Sequence, residues 1–459
     1  MCPLITKITA WFLSLIFAVS GLSPSVVNCR DAEPIQAEKK EYCFDNSGLL
    51  IGGYYARENE LQYCNDAGIQ FIIASSVDEQ YLDTAQKYNV GIIASNYNVP
   101  YCYAEMSDWA TQQYVNADPA AYKDHPALWG DNVIDEPWST SYPNVAASVD
   151  AYYSKYPGKL PFVNLFPSYA SAEQLTEFDT LSFGKKIFSP LSDHFTDTVN
   201  RYKLYTADYI NTIGTDYICV DIYPYRGEQV DGRMKKSTDD NWLRNLDLLA
   251  QACRETNRDL WVIPQSAGLT KDGADGRDMR WCDEVCDISQ QVYASLAFGS
   301  KAIIYGLYGS DGWWDTDSHM IGMDGRPTDT YYAVSEVDSW LKPFQQEFGS
   351  YKYTSTYLIN TLGAAGFTRS RLNCEVLSER GNIKSKDSLL VGTFTGDNGS
   401  KAYVVTNMEE LDKEQSVNFT FEVPEGKTAA VYHQNGTVKY TNSFVMTLDP
   451  GDGAYITVK

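Results

Sequence analysis

The sequence predicts an α/β protein: a (β/α)8 barrel followed by a small all-β sandwich domain. Three observations carry this. From about residue 48 to 310, short apolar runs rich in β-branched and aromatic residues alternate with longer polar, helix-compatible segments. The runs number eight, the strand count of a closed parallel barrel. Beyond about residue 350 the helical period gives way to short strands punctuated by Asp397-Asn398-Gly399, Asn435-Gly436 and Pro450-Gly451.

In order, the barrel runs are Leu49 to Tyr55, Ile69 to Ser75, Val90 to Asn96, Leu128 to Pro137, Leu160 to Ser168, Tyr217 to Tyr225, Leu260 to Ser266 and Ala302 to Tyr308. Parallel strands covered on both faces should be apolar throughout, so polar residues at their C-terminal ends mark where function is to be sought. An open doubly wound sheet would need a phosphate-binding glycine loop after an early strand, and Gly52-Gly53-Tyr54-Tyr55 lacks that spacing. A helical stretch from about Tyr331 to Phe348 closes the barrel. The sandwich strands follow at Leu389 to Phe394, Ala402 to Asn407, Val417 to Val423, Ala429 to His433 and Ala454 to Val458. The expected division is therefore an export signal and linker over 1–30, the barrel over 40–350 and the sandwich over 352–459.

The chain's 459 residues are enough for two or three domains with a substantial core. Lys+Arg 37 against Asp+Glu 60 leaves a net charge of −23, which repels phosphate backbones and argues against a nucleic-acid partner. The 34 Tyr and 10 Trp provide flat apolar faces with polar tips, surfaces on which sugar rings stack. Ala10 to Leu22, preceded by Lys7, has the pattern of an export signal and not of a spanning helix. A secreted or cell-surface protein without a transmembrane helix is expected. A lipid anchor on Cys29 is the competing reading, although Asn28 stands where processing prefers a small residue. Cys282 and Cys286 lie one helical turn apart with no second pair at zinc-ligand spacing. The loop Asp272 to Asp278 does not match a calcium-ligand pattern, so no metal and no cofactor are expected. None of the four histidines has a Ser or Cys partner in a nucleophile motif, which leaves a triad hydrolase without support.

The fourth run ends in Trp129-Gly130-Asp131-Asn132-Val133-Ile134-Asp135-Glu136-Pro137-Trp138, placing two acids and an indole at the barrel mouth. A carboxyl shielded there beside an apolar ring has its pKa raised and can act as a general acid. Glu136 is the candidate proton donor. A structural cap on the following loop is the alternative for Asp135-Glu136. Asp221, at the end of the sixth run, has the side-chain parity to face the same mouth, with orientation of Tyr223 or a loop amide as its simpler role. Asp135 is expected to brace the site from behind, because adjacent strand residues point to opposite faces. Glu284 is explained by helix-start electrostatics.

His125-Pro126-Ala127-Leu128-Trp129-Gly130 running into Asp135-Glu136-Pro137 resembles the fourth-strand signature of clan A glycoside hydrolases, the β-galactosidase and glucanase-like superfamily. Asp221-Ile222-Tyr223-Pro224, Ala294-Ser295-Leu296-Ala297-Phe298-Gly299 and Asp324-Gly325-Arg326-Pro327-Thr328 are similar to barrels of that group, and together these segments span most of residues 48 to 348. The resemblance implies that Glu136 is the acid/base and that a nucleophilic Glu should end the seventh strand. That strand reads Leu260-Trp261-Val262-Ile263-Pro264-Gln265-Ser266. An amide cannot form a glycosyl ester, so another acid attacks or the chain does not hydrolyse by that route. Asp221 is the best substitute. Gln265 and Asn96 are then candidates for holding sugar hydroxyls. Tyr55, Trp138, Tyr223, Tyr308, Trp313 and Trp314 are the candidate platforms, with core or loop packing as the alternative for each, and Tyr54, Tyr97 and Tyr225 sit at the same rim. A glycosidase is the leading expectation, and a carbohydrate-binding protein on a degenerate barrel is its rival.

Overall fold

The structure, a computed structural model, describes residues 35–75, 77–95, 123–175, 198–230, 233–239, 241–268, 282–309, 319–360, 376–377, 379–380, 382–434 and 436–459. The export-signal stretch, Cys29, Asn96, Tyr97, the 272–278 loop, Trp313 and Trp314 lie outside the described residues. No helix among the described residues is long and apolar enough to cross a membrane.

Among the described residues ten strands precede the closing helix: β1 Leu50–Tyr54, β2 Phe71–Ala74, β3 Gly91–Ala94, β4 Leu128–Asp135, β5 Leu160–Leu165, β6 Tyr217–Ile222, β7 Tyr225–Val230, β8 Arg233–Thr238, β9 Asp259–Pro264 and β10 Ser300–Tyr305. Eight of them form a closed parallel barrel in the order β1-β10-β9-β6-β5-β4-β3-β2. Closure runs through Leu50↔Ala302 to Gly53↔Tyr305. Each of the eight predicted runs overlaps one barrel strand, with β9 starting one residue and β10 two residues earlier than expected. The exception to the expected alternation is the antiparallel pair β7 and β8, inserted after β6. Its signal was present in the sequence, since Asp-Gly, here Asp231-Gly232, is a dipeptide that favours two-residue hairpin turns, and it stands between two β-compatible runs.

Because side chains alternate across each strand, the barrel has two apolar layers. Leu50, Phe71, Ile73, Ile93, Phe162, Tyr217, Trp261, Ile263 and Ile304 fill the lumen. Gly52 makes room for one of them: a Cβ there would stand 2.4 Å from the Phe71 ring. The opposite parity, including Ile72, Ile92, Val163, Val220, Val262 and Ile303, packs outward against the helical ring. That ring includes the helices Glu79–Lys87, Tyr142–Lys155, Thr198–Thr212, Trp242–Glu255, Val285–Ala297 and Asp329–Leu341.

The C-terminal part contains β11 Tyr351–Ile359, β12 Val376–Leu377, β13 Glu379–Arg380, β14 Ile383–Ser385, β15 Leu389–Gly396, β16 Lys401–Asn407, β17 Val417–Phe421, β18 Ala429–His433, β19 Gly436–Tyr440, β20 Phe444–Leu448 and β21 Gly453–Val458. They form a seven-stranded sheet, β12-β11-β15-β16-β21-β18-β19, and a four-stranded sheet, β13-β14-β17-β20. Tyr357, Leu389, Val391 and Val405 from the first meet Ile383, Val417, Phe419 and Phe421 from the second. The other face of the larger sheet rests on the helix Val285–Ala297, where Thr356 Oγ1 donates to the Ala297 carbonyl at 2.8 Å. Gly392 permits this approach, for a Cβ at that position would lie 2.1 Å from the same carbonyl oxygen. Gly392→Ala is therefore expected to destabilise the protein by about 1–3 kcal/mol, the usual cost of overpacking a close contact. An unchanged urea midpoint would show that the sheet does not depend on that contact.

Candidate active site

The candidate site is built at the C-terminal ends of β4, β5 and β6. The register between β4 and β5 shifts between Asn132 and Ile134, so β4 reaches its end on an irregular ladder. Glu136 then turns left-handed, with φ +50°. A non-glycine residue rarely adopts this conformation, and its surroundings must hold it there. Here the Glu136 amide donates to the Asn164 carbonyl at 2.9 Å, and the Tyr205 hydroxyl fixes the next residue by donating to the Pro137 carbonyl at 2.8 Å.

That turn corrects one expectation from strand parity. Asp135 does not brace the site from behind. It is an exposed residue, and its Oδ1 accepts from Asn164 Nδ2 at 2.9 Å, with the Tyr54 hydroxyl at 3.5 Å. The rule that neighbours point to opposite faces holds only while the backbone stays extended, and the left-handed turn at Glu136 ends that condition. Consecutive acids thereby serve the same site.

Asn164 is the link. Its Nδ2 also donates to Asp221 Oδ1 at 2.9 Å, so one amide nitrogen bridges a carboxyl from β4 and one from β6. Asp221 in turn accepts a hydrogen bond from the Glu136 carboxyl. Asp221 is 8% exposed, Asn164 is 2% exposed and Glu136 is half-buried; Asp135 is exposed as a residue, although its carboxyl is desolvated enough for burial to raise its pKa.

Electrostatics separate the three acids. Burial pushes Glu136 well above the usual carboxylate range, and the neighbouring charges of Asp221 and Asp135 and the hydrogen bond to Asp221 push it further. Burial and the Asp135 charge raise Asp221, but hydrogen bonds from Asn164 and Glu136 oppose the rise. Burial raises Asp135 as well, against hydrogen bonds from Asn164 and Tyr54 that favour its ionised form. Like charges crowded into one site cannot all ionise, and the proton settles where the fewest donors compete for it. That place is Glu136.

The remaining candidates divide. Trp138 is 41% exposed two residues beyond Glu136, a position open to a ligand. Tyr55 is half-buried and packs edge-on to Tyr54 with ring centroids 5.3 Å apart. Tyr223 is 9% exposed, and its phenol is raised by burial and then by the charge of Asp221, which places it beside the acids. Two expectations need correction. Gln265 is fully buried: its Oε1 accepts from the Tyr225 amide and its Nε2 donates to the Ala267 carbonyl, so its amide is engaged by backbone. Tyr308 is also fully buried, donating to the Glu60 carbonyl at 2.9 Å. Neither can meet a ligand arriving from solvent. Tyr225, likewise buried, donates to Gln290 Oε1 at 2.9 Å.

Asn164 was missed by the sequence reading. Its signal was an amide inside the otherwise apolar Phe162-Val163-Asn164-Leu165, near the end of a barrel strand. Glu284 stands at the start of the helix Val285–Ala297, as expected. With Cys286 and Asp287 it brings ligand-type atoms within 4.8 Å of one another, the one such set among the described residues.

No family model and no curated protein matches this chain. Solved structures do. A protein described as a glycoside hydrolase aligns at a TM-score of 0.50 and 13% identity, covering 93% of this chain and 96% of its own. A glycoside hydrolase family 5 protein from Bacteroides vulgatus aligns at a TM-score of 0.52 and 12% identity, covering 93% of both chains. What these proteins share with this chain is the fold.

Proposed function

We propose that this chain is an exported glycoside hydrolase that cleaves an oligo- or polysaccharide, with Glu136 as its general acid. One observation carries the reading: three carboxyls from β4 and β6 converge at the C-terminal mouth of the barrel, with the most strongly raised one beside an exposed indole. Active sites of such barrels lie at that face. Glu136, whose protonated form is favoured by burial and by the neighbouring carboxyls, donates its proton to the leaving glycosidic oxygen as the bond to the anomeric carbon breaks. Trp138 offers a stacking face and Tyr55 a second one. The glycoside hydrolase names of the aligned structures agree with this reading. Export follows from the Ala10 to Leu22 pattern, with a lipid anchor on Cys29 as the form that would keep the protein at the cell surface.

Asp221 is Glu136's proton partner. Two carboxyls in hydrogen-bond contact leave no room for a sugar, since retaining enzymes separate their acids by about 5–5.5 Å and inverting ones by about 6.5–9.5 Å. Asp221 can reach an anomeric carbon only if that contact opens. A second reading, a carbohydrate-binding protein, is favoured by the closed-off amide of Gln265 where the resemblance implies a nucleophile. A panel of oligosaccharides and aryl glycosides separates the two: release of reducing sugar or phenol supports the enzyme, and tight binding without turnover supports the binding protein.

A further inference from the structure

Resting on the glycosidase reading, we propose that Asp135 is the carboxylate that attacks the anomeric carbon, in place of the acid missing from the seventh barrel strand. Three features single it out. Asp135, at the end of β4, is the most exposed residue of the three acids. Its Oδ1 is tied to Asn164 and Tyr54, and no other hydrogen bond to it is found among the described residues, which leaves Oδ2 for a ligand. It also shares an anchor with the proton store: two 2.9 Å hydrogen bonds from the one Asn164 amide nitrogen hold Asp135 Oδ1 and Asp221 Oδ1, which fixes the attacking carboxyl relative to the partner of the Glu136 proton. The Asn164 carboxamide supplies an independent sign that the site is incomplete without a ligand: among the described residues its Oδ1 has no hydrogen-bond partner, in a side chain 2% exposed. A buried polar atom without a partner is uncommon and calls for an explanation.

The reaction balances in two steps. Asp135 Oδ2 forms a bond to the anomeric carbon, the bond to the leaving oxygen breaks with its electron pair, and the proton held by Glu136 and Asp221 passes to that oxygen. Water then attacks the anomeric carbon, the glycosyl ester breaks to return Asp135 as a carboxylate, and the water proton returns to Glu136. The net change is hydrolysis with retained configuration.

The test uses the full chain and 2,4-dinitrophenyl 2-deoxy-2-fluoro glycosides of the gluco and galacto series in both anomers, with proton NMR of the first product from whichever aryl glycoside turns over. Retention is expected, together with a fluoroglycosyl adduct that tandem mass spectrometry places on Asp135. Asp135→Ala should lose at least about 1,000-fold in kcat/KM, with azide restoring activity and yielding a glycosyl azide of inverted configuration. Asp135→Asn, which keeps the size of the side chain and an acceptor for Asn164, should lose the same activity with the melting temperature unchanged or higher. Inverted product, or an adduct on Asp221, would overturn the assignment and leave the glycosidase reading standing. Absence of turnover across the whole panel would overturn that reading and the assignment with it.

Discussion

Glu136→Gln is expected to lower kcat/KM on a natural oligosaccharide by about 100- to 10,000-fold, the range that general acid catalysis supplies. The amide has nearly the same shape and can keep a hydrogen bond to Asp221, but it has no proton to give to a departing alkoxide. The loss should therefore depend on the leaving group. A 2,4-dinitrophenolate departs without protonation, so the variant should cleave a dinitrophenyl glycoside far closer to the wild-type rate than it cleaves an oligosaccharide. Equal loss on both substrates would point to damaged binding and not to a missing acid. Survival of oligosaccharide hydrolysis in the variant would remove Glu136 from its assigned role.

The pH dependence of the wild type follows from the same geometry. Glu136 must be protonated to act, so activity falls as pH rises through its pKa. Burial and two neighbouring carboxylates raise that pKa, which moves the alkaline limb upward from where an isolated Glu would put it.

The barrel was legible because its strands are apolar on both faces and short, a pattern that a helix-period segment cannot imitate. The sixth run was read three residues too long: β6 ends at Ile222, and Tyr225 opens the hairpin. Tyr225 satisfied the composition of both elements, and only the hairpin-favouring dipeptide Asp231-Gly232 in the sequence distinguished them. Within the candidate site, the rule that function sits where strands end picks out Glu136 and Asp221, whose side chains the fold brings together. The same rule failed for Gln265 and Tyr308, because what closes them off comes from elsewhere. The Gln265 backbone is locked to Gln291, 26 residues later, and Tyr308 reaches Glu60, 248 residues earlier. The part played by Asp135 was hidden for a local reason. Left-handed backbone is normally announced by Gly or Asn, and here it falls on a Glu.

Asp221→Asn tests the proton store from the other side, and its two effects should have opposite signs for function and stability. An Asn at 221 removes one of the two charges that keep Glu136 protonated, and its amide can donate to the Glu136 carboxylate. Both changes lower the Glu136 pKa. The alkaline limb of kcat/KM should move to lower pH, with a loss relative to wild type on the alkaline side that shrinks as the pH is lowered. Stability should change the other way. Asp221 has a raised pKa in the fold relative to about 3.9 in an unfolded chain, so its charged form costs the native state. That cost is present in full above the folded pKa and vanishes below the unfolded one. The variant should therefore gain about 0.5–2 kcal/mol over wild type at pH 8 and little near pH 4, read from urea unfolding at the two pH values. A variant that loses all activity at every pH and recovers it with azide would make Asp221 the attacking group. An unshifted limb with normal activity would mean that Asp221 does not govern the Glu136 proton at all.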